Sequence, residues 1–195
     1  MIYRSLLHFP IVHTQADLGG LGEQVRRLKV NRLGRRGWER SVKRIDQLWN
    51  RIEKAIDGLP LSFERVRVYQ DGLPNCGREL EIVAELAAGG SRNHRLLLEL
   101  HQKGAALMGT ESPELLLAEY RLAASALPAG RGRRAVRDSL LERRDRCIAA
   151  RINCTLLREE TGILFLGLFH TVAPLLAPDI RVVYPLGPAV EGLER

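Results

Sequence analysis

The chain of 195 residues is poor in cysteine, in aromatic residues and in long apolar runs. Its three cysteines form no CxxC pair and no cluster with histidine, which argues against a disulfide framework and against a zinc site. No apolar run approaches the ~20 residues that a membrane-spanning helix needs. The N-terminus also lacks the pattern of a secretory signal. We therefore expect a cytoplasmic protein that does not enter a membrane.

Positive charge is concentrated in one segment. The net charge is +7, yet residues 26–44 contain nine basic residues and a single acidic one, Glu39. Such a segment can contact several phosphates of a nucleic acid or another polyanion. Aromatic residues make up only 5 % of the chain, however, so stacking platforms for bases are scarce. A solvated or oligomer-contact surface is the simpler interpretation. The basic side chains of the polyanion alternative are Arg32, Arg35, Arg36, Arg40 and Lys43.

The hydrophobic pattern predicts alternating strands and helices. Strands are expected at 2–9, 63–69, 105–108, 163–167 and 180–185, and helices at 17–33, 38–56, 79–88, 93–103, 113–126, 134–160 and 172–176. This alternation is typical of a layered α/β domain, with a mainly parallel central sheet of about five strands and helices on both faces. We expect one domain over residues 1–195.

Residues 17–58 are predicted to form an inserted basic helical hairpin, an arm that follows the first strand. Gly34 and Gly37 are expected to break it into two helices. The second helix has an apolar stripe that contains Trp38, Val42 and Trp49. A stripe longer than a small core needs is buried by a partner, so a homodimer through this arm is one interpretation.

Polar residues follow four of the predicted strands. His8 and His13 follow the first, Asp71 the second, Glu111 the third and His170 the fourth. In an open parallel sheet, ligands bind outside the carboxyl ends of the strands. We therefore expect these side chains to converge on one edge of the sheet as a candidate site for a small-molecule substrate. Each residue alone is equally explained by a structural role, such as a turn at Asp71 or a helix start at Glu111.

The convergent residue types suit hydrolysis. A histidine can take a proton from water while a carboxylate orients it. Imidazole and carboxylate also bind divalent metals, so a metal held by His13, Glu111 and His170 is an alternative. Gly109 and Gly167 would let a ligand approach the backbone closely.

The long helix adds an adjacent arginine and aspartate to this set. Arg144 and Asp145 precede Ile148 and Ile152 within the same apolar pattern. If the isoleucines face the sheet, one of the two charged residues can point towards its edge. Arg144 would then bind an anionic substrate or hold a carboxylate of the site. An ordinary surface ion-pair network is the alternative.

Several segments resemble known proteins. The stretches YQDGLPNCG, GTESPELL and RDRCIAARI resemble an uncharacterised family of bacterial proteins of about this length. The wider pattern is similar to the superfamily that joins the erythromycin esterases, the TraB/PrgY pheromone-shutdown proteins, the ChaN-like haem-binding proteins and the Tiki metalloproteases.

The motifs of that superfamily match this chain unevenly. Its late Gly-x-x-His motif matches Gly167 to His170, its Arg-Asp pair matches Arg144 and Asp145, and Glu111 stands where it has an acid. Its early Gly-x-x-His motif is altered, because Ser5 precedes His8 and Pro10 precedes His13. The resemblance implies a hydrolytic site with or without a metal, and it leaves open which of the two histidines belongs to that site.

Overall fold

A computed structural model describes residues 3–14, 16–17, 22–125 and 130–187. Five parallel strands form one sheet in the order β3-β2-β4-β1-β5, which confirms the predicted α/β class. The strands are β1 (Arg4–Ile11), β2 (Val66–Pro74), β3 (Ala106–Glu111), β4 (Thr161–Gly167) and β5 (Ile180–Val183). The helices are α1 (Gly22–Asp57), α2 (Glu79–Ala88), α3 (Arg92–Gln102), α4 (Pro113–Ala124) and α5 (Arg131–Thr155).

The two faces of the sheet carry separate apolar layers. Val68 and Phe165 point to one face and pack with residues of α1, α2 and α3. Their neighbours Tyr69 and Leu164 point to the other face and pack with α5. This period of two follows from the strand geometry. Helices therefore cover both faces, as a wholly parallel sheet requires.

β1 continues past the proline that was expected to end it. The strand was predicted over 2–9, and its described part reaches Ile11, pairing with β4 along its length. β5 pairs only with Arg4 to Leu7, so Pro10 lies where one side of β1 carries no strand. Proline is tolerated at such an unpaired position because it has no N–H to donate. His13 therefore lies just beyond the carboxyl end of β1.

Two other strands, β2 and β3, also end later in the chain than the sequence predicted. β2 was expected to end at Tyr69, but it runs to Pro74 and shifts register between Gln70 and Pro74. β3 was expected to end at Met108, but it runs to Glu111. Asp71 and Glu111 consequently belong to the last part of their strands rather than to the following loops.

The arm was predicted as two helices broken at Gly34 and Gly37. Gly34 breaks the helical path of α1, with φ 69° and ψ 165°. The break predicted at Gly37 is wrong, because that residue continues the helix. Ile45, Trp49 and Ile52 of the apolar stripe are buried against the chain's own sheet. None of the described helices combines the length and the apolar composition needed to cross a membrane.

Candidate functional site

Asp71 is the centre of a buried charged cluster at the carboxyl edge of the sheet. Its Oδ1 accepts a hydrogen bond from Arg144 Nη2 at 2.9 Å and lies 3.3 Å from His170 Nε2. Its Oδ2 accepts from Gly167 N at 2.9 Å and lies 3.1 Å from His13 Nε2. Burial alone would raise the pKa of Asp71, but the hydrogen bonds from His13 and His170 outweigh it and hold the pKa well below its usual range.

Gly167 is needed for this arrangement because of its missing side chain. A Cβ atom at this position would stand 2.6 Å from Asp71 Oδ2. The close approach that was predicted at Gly167 is therefore made by a carboxylate of the protein itself. At Gly109 a Cβ would stand 2.4 Å from the carbonyl oxygen of Pro74, so that glycine lets β3 lie close to the end of β2.

His170 is held between two carboxylates. Its Nδ1 lies 2.5 Å from Asp145 Oδ1, while its Nε2 faces Asp71. Asp145 is itself fixed by a hydrogen bond from Thr171 N at 2.9 Å. Burial lowers the pKa of His170, but the hydrogen bonds to Asp145 and Asp71 more than compensate and raise it to about 9. The ring is therefore a fixed cation near neutral pH, with both nitrogens directed at carboxylates.

Arg144 binds three carboxylates at once. Its Nε and Nη2 form a two-point contact with Glu111, each bond 2.6 Å long, and its Nη1 donates to Glu119 at 2.5 Å. With the bond to Asp71, all three guanidinium nitrogens are engaged, and the side chain is 7 % exposed. Burial raises the pKa of Glu111, and the hydrogen bonds from Arg144 offset part of this increase. Arg144 thus holds the carboxylates together and has little surface left to bind a substrate.

His13 is the more accessible histidine of the cluster. Its side chain is 29 % exposed, against 4 % for His170. Burial lowers the pKa of His13, but its hydrogen bond to Asp71 and the nearby charge of Asp17 outweigh that effect and raise the pKa. Because Asp71 holds Nε2, the other ring nitrogen is the one available for chemistry.

A second polar group was not recognised from the sequence. Asp17 accepts two hydrogen bonds from Thr14, at 2.5 and 2.9 Å, and a third from Ser91 Oγ. Ser91 also caps α3, and its Oγ lies 2.7 Å from His94 Nδ1. Burial would raise the pKa of Asp17, but its hydrogen-bond partners, with His94 and Ser91 first, outweigh it and lower the pKa. The sequence signal was a serine cap three residues before a histidine, a spacing that brings the two side chains together.

A cavity of about 460 Å³ is lined both by residues of the Asp71 cluster and by Asp17 and His94 of the second polar group. Among the residues that line it are His13, His94, His170 and Asp71. Phe169 lines it too and is 77 % exposed. Asp17, Arg144 and Glu119 also contribute to its wall. Among the described residues that line this cavity none is serine, threonine or cysteine. The polar side chains of its wall are imidazole and carboxylate groups, with the guanidinium of Arg144 and the phenol of Tyr120.

His8 does not join this cluster. It lies inside β1, and its ring packs against Tyr184 with 5.1 Å between the centroids. Burial lowers its pKa to about 4. Of the two histidines that the sequence offered after the first strand, the structure brings His13 to Asp71 and leaves His8 elsewhere.

The predicted metal set of His13, Glu111 and His170 is not the one that the geometry favours. Asp71, Glu111 and His170 present ligand atoms within 4.8 Å of one another. A guanidinium nitrogen of Arg144 already lies between the two carboxylates, 2.9 Å from one and 2.6 Å from the other. A metal ion bound there would have to displace that cation.

The basic residues of the arm lie apart from this cavity. Arg35 forms an exposed pair with Glu39 at 3.6 Å. Such exposed pairs contribute little to stability. The polyanion and homodimer interpretations of the arm remain predictions. Arg32, Arg35, Arg36, Arg40 and Lys43 are all exposed.

The resemblance to the erythromycin esterase superfamily remains a prediction, and the site is interpreted from its own geometry. No family model matches the chain, and neither a curated protein nor a solved structure matches it.

Proposed function

We propose that the protein is a hydrolase that activates water with His13, which is oriented by Asp71. The observation that carries this proposal is the contact between His13 Nε2 and the buried carboxylate of Asp71 at 3.1 Å. The low pKa of Asp71 keeps it ionised, so it can only accept a hydrogen bond, and Nε2 carries the proton. Nδ1 of the neutral ring is then the nitrogen that takes a proton from water.

His94 is the second proton-transfer group of the proposed site. Asp17 accepts the hydroxyl proton of Ser91, so Ser91 Oγ accepts from His94 Nδ1. In its neutral form, His94 therefore has its unprotonated nitrogen at Nε2. The side chain lines the same cavity as His13. The two rings can act together when one is neutral and the other is protonated on both nitrogens. The neutral ring then takes a proton from water, and the protonated ring gives its additional proton to the leaving group.

The remaining charged residues fix the base. Arg144 and His170 hold Asp71 Oδ1, and Gly167 N holds the other oxygen together with His13. Asp145 prevents His170 from turning, because it binds the opposite ring nitrogen. A carboxylate that is fixed by three partners other than His13 orients the imidazole of His13 more firmly than an isolated carboxylate would, since its own position is determined. His170, the base expected from the sequence, becomes a positioning residue in this proposal.

The lining of the cavity supports direct attack by water. A covalent route through an acyl-enzyme most often uses the hydroxyl of serine or threonine, or the thiol of cysteine, next to a base. None of the described residues of the cavity wall is of these three types, and the hydroxyl that the wall does carry is the phenol of the half-exposed Tyr120. Carboxylic esters and amides of small molecules are the proposed substrates, because their hydrolysis needs only a base for water and an acid for the leaving group.

The proposal is tested with a panel of carboxylic esters, amides and phosphoesters, with and without added Mn²⁺, Co²⁺ or Zn²⁺. We expect hydrolysis of at least one ester or amide without added metal. Asp71→Asn should lower kcat/KM about 10² to 10⁴-fold, and circular dichroism establishes that the variant is folded. No hydrolysis by the wild-type protein across the panel, or an Asp71→Asn variant with unchanged kcat/KM, would overturn the proposal.

A further inference from the structure

We infer that a cleft beside the site binds the uncharged apolar group of the substrate. This inference rests on the proposed function and names the substrate class: carboxylic esters or amides with an uncharged alkyl chain on the acyl side. The cleft has a volume of about 790 Å³ and lies between α1, α2 and α3. We call it the tryptophan cleft, and it is defined by His13, Trp38, Val42, Ile45, Trp49 and Leu86.

The tryptophan cleft and the site cavity share two lining residues. His13 and Leu86 line both of them. A molecule whose carbonyl group lies at His13 can therefore extend away from Asp71 and into the cleft. This continuity makes the cleft a subsite of the proposed active site, since the base itself forms its inner end.

The chemistry of the wall favours an apolar group. Both tryptophans of the chain lie in this cleft. Val42 is 37 % exposed and Trp38 is half-buried, so both have apolar surface that a ligand would remove from water. Each CH₂ group that becomes buried on binding contributes about fourfold in affinity.

The charges around the cleft favour a neutral ligand. Two acidic residues, Asp46 and Glu85, and two basic residues, Arg92 and Arg95, line it. Arg92 is already paired with Glu53 at 2.5 Å. With opposite signs in equal number, the lining provides no net attraction for an anion or a cation.

Methyl ketones are suitable probes of the cleft. They carry an apolar chain and a carbonyl group, but water cannot hydrolyse them, so their binding is measured apart from turnover.

The test measures the binding of 2-butanone, 2-hexanone and 2-octanone through the change in tryptophan fluorescence. Trp38 and Trp49, the two tryptophans of the chain, both line the cleft. We expect saturable binding that strengthens about 16-fold for each pair of added CH₂ groups. Val42→Glu should weaken 2-octanone binding at least tenfold. Leu33→Glu is the matched control, because Leu33 is equally exposed on α1 and is not among the residues that line the cleft.

Binding without dependence on chain length, or equal effects of Val42→Glu and Leu33→Glu, would overturn the inference.

Failure of the inference and failure of the proposed function give different results. Asp71→Asn should lower kcat/KM about 10² to 10⁴-fold and leave ketone binding within about twofold, because Asp71 is not among the residues that line the cleft. Esters that are hydrolysed at rates independent of acyl length, with no ketone binding, would overturn the inference alone. Ketone binding in a protein that hydrolyses no member of the panel would overturn the proposed function alone.

Discussion

Gly167 donates its backbone N–H to Asp71 Oδ2 over 2.9 Å, and a single added carbon at Gly167 would stand 2.6 Å from the same oxygen. The glycine therefore fixes the position of the carboxylate that binds His13. This contact joins the ends of β2 and β4, two neighbouring strands of the sheet.

Gly167→Ala should lower the free energy of unfolding by about 1 to 3 kcal/mol, because the new methyl group overlaps a buried carboxylate. The same change should reduce kcat/KM by displacing Asp71. Gly132→Ala is the control, since a Cβ there meets no atom within 4 Å and lies inside α5. That variant should be neutral or more stable by up to about 1 kcal/mol. Equal denaturation midpoints for the two variants would contradict the close contact.

Arg144→Met should destabilise the protein by about 3 to 5 kcal/mol, because it leaves Asp71 and Glu111 buried beside each other without their cation. Chemical denaturation measures the change. Arg143→Met is the matched control. Arg143 is exposed, so its replacement should lower the free energy of unfolding by less than about 0.5 kcal/mol. A similar cost for both arginines would refute the buried position of Arg144.

The stability of the protein should fall as the pH rises from 6.5 to 9. The pKa of His170 is raised from 6.5 to about 9 in the folded state, so the folded protein holds a proton that the unfolded chain releases. The stabilisation is fully present below pH 6.5 and is lost as the pH rises through about 9. It amounts to about 3 kcal/mol.

Denaturation midpoints measured across this range test the effect with two variants. His170→Gln should remove this part of the pH dependence. His101→Gln should keep it, because among the described residues the ring of His101 contacts the backbone oxygen of Ala105 and no carboxylate. A His170→Gln profile parallel to that of the wild type would contradict the assigned ion pairs.

The topology of the sheet explains why part of the site was predictable from the sequence. The patterns around ILFLG and GTESPELL locate strand ends, and parallel strands place their carboxyl ends on one edge. Asp71, Glu111 and His170 were predicted to meet there, and they lie within one cluster.

The contacts inside the cluster could not be predicted. They depend on the register shift after Gln70 and on side-chain rotamers, which a one-dimensional pattern does not contain. The choice of His13 over His8 depended on how far β1 continued beyond Pro10. His94 lies within a helix, where a histidine usually has a packing role, so the pattern of strand ends did not include it. The substrate-binding role predicted for Arg144 assumed a free guanidinium, and only the structure places three carboxylates around it.

Removal of metal ions should leave the activity unchanged within about twofold. Arg144 supplies the positive charge between Asp71 and Glu111 that a divalent ion would otherwise provide. Dialysis against EDTA, followed by assay in metal-free buffer, makes the measurement. Lost activity that returns on addition of Zn²⁺ or Mn²⁺ would show that a metal, rather than the guanidinium, completes the site.

The most direct test of the account is kcat/KM for the best ester or amide of the panel in His13→Gln. The amide of glutamine can still donate a hydrogen bond to Asp71, so the variant should remain folded by circular dichroism while kcat/KM falls about 10² to 10⁴-fold. His101→Gln, the same change at a histidine outside the cavity lining, should retain the wild-type value. A folded His13→Gln variant with wild-type kcat/KM would contradict the assignment of His13 as the group that activates water.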